Sequence, residues 1–110
     1  MPNESGTDQC TVTGQMSPLT ASVDHLAASP GNAQTFQAER VLTSQCSQAM
    51  VIPSVTWTSS DPTNAPITSN VVTGQNTAIA VVTCNQPTTA TITATFDSNG
   101  PSATATITCR

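Results

Sequence analysis

The chain has 110 residues, of which 36% are hydrophobic and 7% charged, with a formal net charge of −4 and just two cations, Arg40 and Arg110. Its length suits one domain with a modest core. The acidic balance excludes the clustered Lys and Arg that nucleic acid or an anionic membrane surface requires, and no apolar run approaches the ~18 residues of a membrane-inserted helix.

Residues 1–9 are polar and aperiodic and are read as a disordered N-terminal tail, with the folded domain spanning 10–110. The opening MPNESGTDQC lacks the charged start and apolar centre of a signal peptide, so Met1 is expected to begin a fragment of something longer. Asn3-Glu4-Ser5 has the form of a glycosylation sequon but falls in that tail. LTASVDHLAA (19–28) has Leu19, Val23 and Leu26 at helical spacing, yet Pro18 and Pro30 bracket it. It reads as irregular or edge strand, with a short helix as the alternative.

The rest reads as strands separated by turns. AQTFQAERVLTS (33–44) puts Phe36 and Ala38 on one face, and PSVTWTSS (53–60) alternates Val55, Trp57 and Ser59 against Thr56 and Thr58. SDPTNAP (60–66) is a turn. APITSNVVTG (65–74) holds a short strand or two, and NTAIAVVTC (76–84) is apolar through its middle, as a deeply buried strand would be. The segment TATITATFDSNGPSATATITC (89–109) is the clearest signal. Ala90, Ile92, Ala94 and Phe96 share one face, as do Ala103, Ala105, Ile107 and Cys109, while Thr fills the opposite positions. Period two with one apolar face is a half-buried antiparallel strand. DSNGPS then closes a hairpin, with Gly100 expected to supply the positive φ. Thr on the wet face keeps β-preference without exposing large apolar groups.

About seven short strands in a chain this size point to an all-β, two-sheet antiparallel β-sandwich. Phe36, Val55, Trp57, Ile92, Phe96 and Ile107 are the expected core, with Trp57 between the sheets. Cys10, Cys46, Cys84 and Cys109 lack the close pairs of a zinc site. Two disulfides in an extracytoplasmic domain is the reading that fits.

VTWTSSDP (55–62), VVTG (71–74), TATITATF and SATATIT (102–108) together resemble bacterial immunoglobulin-like domains of group 2 (BIG2-like) over residues 19–109. Two departures stand out: the Gly that usually precedes T-A-T-I-T-A is absent, and QNTAIAVVTCNQP (75–87) is an extra segment. The resemblance implies an immunoglobulin-like sandwich and a non-catalytic module of a bacterial surface or secreted protein, a spacer or adhesion bead. Four cysteines allow three connectivities. In such a topology Cys10 precedes the first strand and Cys46 follows strand 33–44 at one pole, while strands 76–84 and 102–109 end at the other. This favours Cys10–Cys46 with Cys84–Cys109, each bridge stabilising by ~2–4 kcal/mol.

Catalytic chemistry is poorly supplied. His25, the sole imidazole, adjoins Asp24, but neighbouring strand residues face opposite ways and make no triad. Asp97-Ser98-Asn99-Gly100 resembles the start of a calcium loop without the distal Glu, and turn chemistry accounts for it, as for Asp61. No enzyme activity, cofactor or metal is expected. The expected partners are neighbouring domains of the same chain and a protein or glycan at the cell surface, met by loops 45–54 and 60–70. The alternative is a ligand-binding module for glycan or calcium. Aromatic residues for a sugar platform are scarce, namely Phe36, Trp57 and Phe96.

Overall fold

A computed structural model describes residues 11–42, 54–97 and 100–110. The described residues form eight strands and no helix: β1 (Val12–Ser17), β2 (Thr20–Val23), β3 (Ala33–Leu42), β4 (Val55–Ser59), β5 (Ile67–Val72), β6 (Thr77–Thr83), β7 (Thr88–Phe96) and β8 (Ser102–Cys109). They divide into two four-stranded sheets, one in the order β1-β3-β6-β5 and the other β2-β8-β7-β4. The chain changes sheet between β1 and β2, β2 and β3, β3 and β4, β4 and β5, and β6 and β7. It stays within a sheet only at the β5–β6 and β7–β8 hairpins.

Period-two patterning drives the packing. On β7, Ala90, Ile92, Ala94 and Phe96 are buried and alternate with Thr; on β8, Ala103, Ala105, Ile107 and Cys109 do the same. The hairpin register sets Ile92 opposite Ala105 and Ala90 opposite Ile107, so large residues face small ones across the ladder. The other sheet contributes Phe36 and Ala38 from β3 and Val82 from β6 to the same apolar cluster. Phe36, Ile92, Phe96 and Ile107 are completely buried. Each is worth roughly 1.5–3 kcal/mol of hydrophobic stabilisation. The two inner faces thus share one core, in a sandwich-like arrangement.

Several expectations need correction. The described residues alone hold eight strands, where about seven are expected for the domain. The surplus comes from the N-terminal part, where β1 has no counterpart in the sequence reading. For residues 19–28 the edge-strand reading holds, since they supply the edge strand β2 and a turn, and only the helical alternative falls. The sheets are not wholly antiparallel, because β2 runs parallel to β8, Ala21 beside Ile107. Gly100 does not carry the positive φ of the β7–β8 connection; Asp97 does, at φ 57°. Asp is among the few non-glycine residues that visit that conformation, and here its carboxylate is held by Arg40 and the Ser54 N–H. Gly100 is required for a different reason. Its N–H donates to the Phe96 carbonyl at 2.8 Å, and a Cβ there would collide with that same oxygen.

Cys84, one residue past β6, is bonded to Cys109 at the end of β8, with a Cα–Cα separation of 5.5 Å. The bridge therefore joins the two sheets covalently at the pole where both strands end. Cys10 and Cys46, expected to form the second pair, lie outside the described residues, as does most of loop 45–54.

Candidate functional site

Two places gather side chains that the core does not explain. One is the pole opposite the disulfide. On β3 the inward positions run Phe36, Ala38, Arg40, so the alternation aims a guanidinium into the sandwich. Arg40 is 2% exposed, the one buried charged residue among those described. Its Nη1 donates to Asp97 Oδ2 at 2.9 Å, Nε to Asn76 Oδ1 at 3.1 Å, and Nη2 to the Gln75 carbonyl at 2.5 Å. The guanidinium carbon also stands 5.7 Å from the Phe96 ring centroid, in cation–π range. A buried charge persists when it is paired and its donors are satisfied. Here three donors bind three acceptors from two separate turns. Asp97 reaches further: Oδ1 accepts from the Ser54 N–H at 3.1 Å, and its own N–H donates to the Ser54 carbonyl at 2.8 Å. A single Arg thus fixes the end of β3, the β5–β6 turn and the β7–β8 turn, and Asp97 ties in the start of β4. This accounts for the Asp97 carboxylate structurally.

The second place is the seam between edge strands β4 and β5. Trp57 was expected wholly between the sheets. It packs against the core but is only partly buried, because β4 ends its sheet and no further strand among the described residues lies beside it. Val55 is likewise only partly buried. Beside Trp57, the residues Thr58, Ser59, Pro62, Pro66 and Ile67 line an open groove with no charged member. The turn that forms one wall is held by Asp61. Its Oδ1 accepts from the Asn64 N–H at 3.2 Å, and its Oδ2 from Asn64 Nδ2 at 3.1 Å and the Thr88 hydroxyl at 2.6 Å. These donors, Thr88 foremost and then Asn64, hold the Asp61 carboxyl below its ordinary value of 3.8. The Asp61 carbonyl also accepts from the Ala65 N–H at 2.8 Å, closing the turn.

His25 and Asp24 do not converge on a nucleophile. His25 Nδ1 pairs with the Arg110 main-chain oxygen, and Asp24 Oδ1 accepts from the Leu26 N–H at 2.9 Å. Among the described residues no group of three or more His, Cys, Asp or Glu lies close enough to hold a metal ion. No helix among them is long and apolar enough to cross a membrane. Sequence reasoning missed Arg40 altogether. The signal was available, since Arg40 continues the parity of Phe36 and Ala38 on one strand.

No family model, curated protein or solved structure matches the chain.

Proposed function

We propose that the chain is a non-catalytic, immunoglobulin-like structural and interaction module of an extracytoplasmic bacterial protein. The observation that carries this reading is the strand order. Immunoglobulin-type sandwiches place strands A, B, E and D in one sheet and C, F and G in the other. Assigning β1, β3, β6 and β5 to the first set and β4, β7 and β8 to the second reproduces that order, and β2 falls where a displaced half of strand A would lie beside G. The Cys84–Cys109 bridge supports an oxidising compartment. The near absence of Lys and Arg, and the engagement of Asp97 and His25 in main-chain and ion-pair contacts, support a scaffold rather than a reaction centre. Neighbouring domains of the same chain are the natural contacts of such a bead.

The ligand-binding alternative has one observation in its favour, the partial exposure of Trp57 beside two hydroxyl side chains. Calcium is less favoured, because Arg40 and the Ser54 N–H already occupy the Asp97 carboxylate. Fractionation of the native host with an antibody to the chain tests the main reading. Recovery from the cell surface or medium with no free thiol is expected. Recovery from the cytosol with reduced cysteines would overturn it.

A further inference from the structure

We infer that β4 is a docking edge for an extended, uncharged peptide strand, which hydrogen-bonds to Val55, Trp57 and Ser59 and drops alternate side chains into the groove beside Trp57. The inference deepens the interaction-module reading and rests on it. Its physical basis is the parity of the β4–β7 ladder. Antiparallel strands exchange hydrogen bonds at every second residue pair, and the residues between point their main-chain groups the other way. The bonds at both ends of β4 fix which residues are which. Asp97 N–H donates to the Ser54 carbonyl at 2.8 Å, and Ser60 N–H donates to the Thr91 carbonyl at 3.0 Å. The register is regular between them, with Thr56 opposite Thr95 and Thr58 opposite Thr93. The even-numbered residues therefore bond to β7. Val55, Trp57 and Ser59 direct their N–H and C=O groups to the other side, where no strand among the described residues pairs with β4.

Sheet edges of this kind are blunted by charge, proline, a bulge or extreme shortness. β2 has four residues, and β5 shifts register between Ile67 and Ser69. β4 carries no charge, proline or register shift. What sets it apart from β1, which is also plain, is the groove next to it, where Trp57, Pro62, Pro66 and Ile67 offer apolar contact. Main-chain pairing supplies affinity in strand addition, and pockets for alternate side chains supply specificity. A row of outward amides and carbonyls selects an extended main chain over a sugar, which presents no such repeat. Charge narrows the occupant further. The protein is acidic overall, yet no ionic group among the described residues lines the groove, so a neutral strand enters without a lost or unpaired charge.

The test uses a blocked peptide with the β7 sequence TTATITATF, an uncharged strand that β4 already pairs with on its other side. Amide exchange of the intact protein is followed with and without the peptide. Slowed exchange at Val55, Trp57 and Ser59, unchanged exchange at Thr56 and Thr58, and a blue-shifted Trp57 emission are expected. Ser59→Pro removes one outward N–H while leaving the β7 ladder intact, a place where an edge strand accepts proline. It should weaken binding at least about fivefold, the effect of one hydrogen bond. Thr58→Lys, at an exposed position, is the second variant and should weaken binding through edge charge. Protection at even positions, protection at a different edge, no protection, or full binding by both variants would overturn the inference. So would a soluble oligosaccharide that quenches Trp57 without protecting any β4 amide, which would assign the groove to a sugar. These outcomes leave the cellular-compartment test untouched, so the two readings fail separately.

Discussion

The two sheets wear different outer faces. In the sheet β2-β8-β7-β4 every outward position is Thr or Ser: Thr20 and Ser22 on β2, Ser102 to Thr108 at alternate positions on β8, Thr89 to Thr95 on β7, and Thr56 and Thr58 on β4. In the sheet β1-β3-β6-β5 the outward positions mix Gln37 and Glu39 with Ile79, Val81 and Val71, the last 54% exposed. Both faces are solvated, and both sheets fold onto the same core. The contrast shows that stability of a strand depends on the inner row, while the outer row is free to vary. It also shows where sequence carries structural information. A pure hydroxyl row against a pure aliphatic row displays period two without ambiguity, which is why β7 and β8 are legible from the sequence to within a residue. On β6 the outward Ile79 and Val81 hide the alternation, and the strand reads as buried on both sides when it is buried on one.

The largest expected effect sharpens the comparison at the core. Phe36 comes from one sheet and Phe96 from the other, and both are completely buried. Truncating either to Ala should cost about 3–5 kcal/mol in denaturant unfolding. Phe96→Ala should be the costlier, because it also strips the aromatic face from the Arg40 guanidinium. Equal losses would mean that the ring contributes nothing to holding that cation.

Next comes the covalent tie between the sheets. Replacing Cys84 and Cys109 together by Ala should destabilise by about 3 kcal/mol, for a bridge that spans 25 residues. The loss is read as a lower denaturation midpoint with the chain still folded into its β structure by circular dichroism. If the midpoint did not move, the shared core alone would hold the sheets together.

A smaller effect concerns β1, the strand that the sequence conceals. Its inward row is Val12, Gly14 and Met16, with too little apolar weight to announce a strand. The glycine is there because β1 crosses close to β8. A Cβ on Gly14 would lie 2.7 Å from the Ser102 carbonyl oxygen and 3.4 Å from Ala103 Cβ. Gly14→Ala should cost roughly 1–3 kcal/mol through forced separation of the two strands, measured by thermal unfolding. An unchanged or raised midpoint would mean that β1 can shift freely and the sheets touch less firmly there. The partial exposure of Trp57 escaped the sequence for a related reason. Its own strand marks it as inward, but whether an inward residue is covered depends on the next strand over, and among the described residues β4 has none on that side.

The smallest expected effect lies at the turn that carries the chain from β4 in one sheet to β5 in the other. Asp61 there accepts from Thr88 at the head of β7 and from Asn64 within the turn, and these donors favour its ionised form. A carboxyl whose folded value is depressed contributes stability that is fully present above its unfolded value, and that contribution fades as pH falls toward the folded value. The contribution of Asp61 should therefore be complete at neutral pH and decline below 3.8. Asp61→Asn keeps the size of the side chain but ends this dependence. The difference in melting temperature between the native chain and the variant should be modest at neutral pH and shrink on acidification below the ordinary aspartate range. Because Thr88 and Asn64 are neutral donors that bind Asp61 at hydrogen-bond range, a strong salt effect is not expected. A difference that grew with acid would reverse the sign and show that the protonated carboxyl, not the carboxylate, holds Thr88. The seam beside Trp57 would then rest on a different turn geometry, and the docking edge on β4 would have one wall fewer.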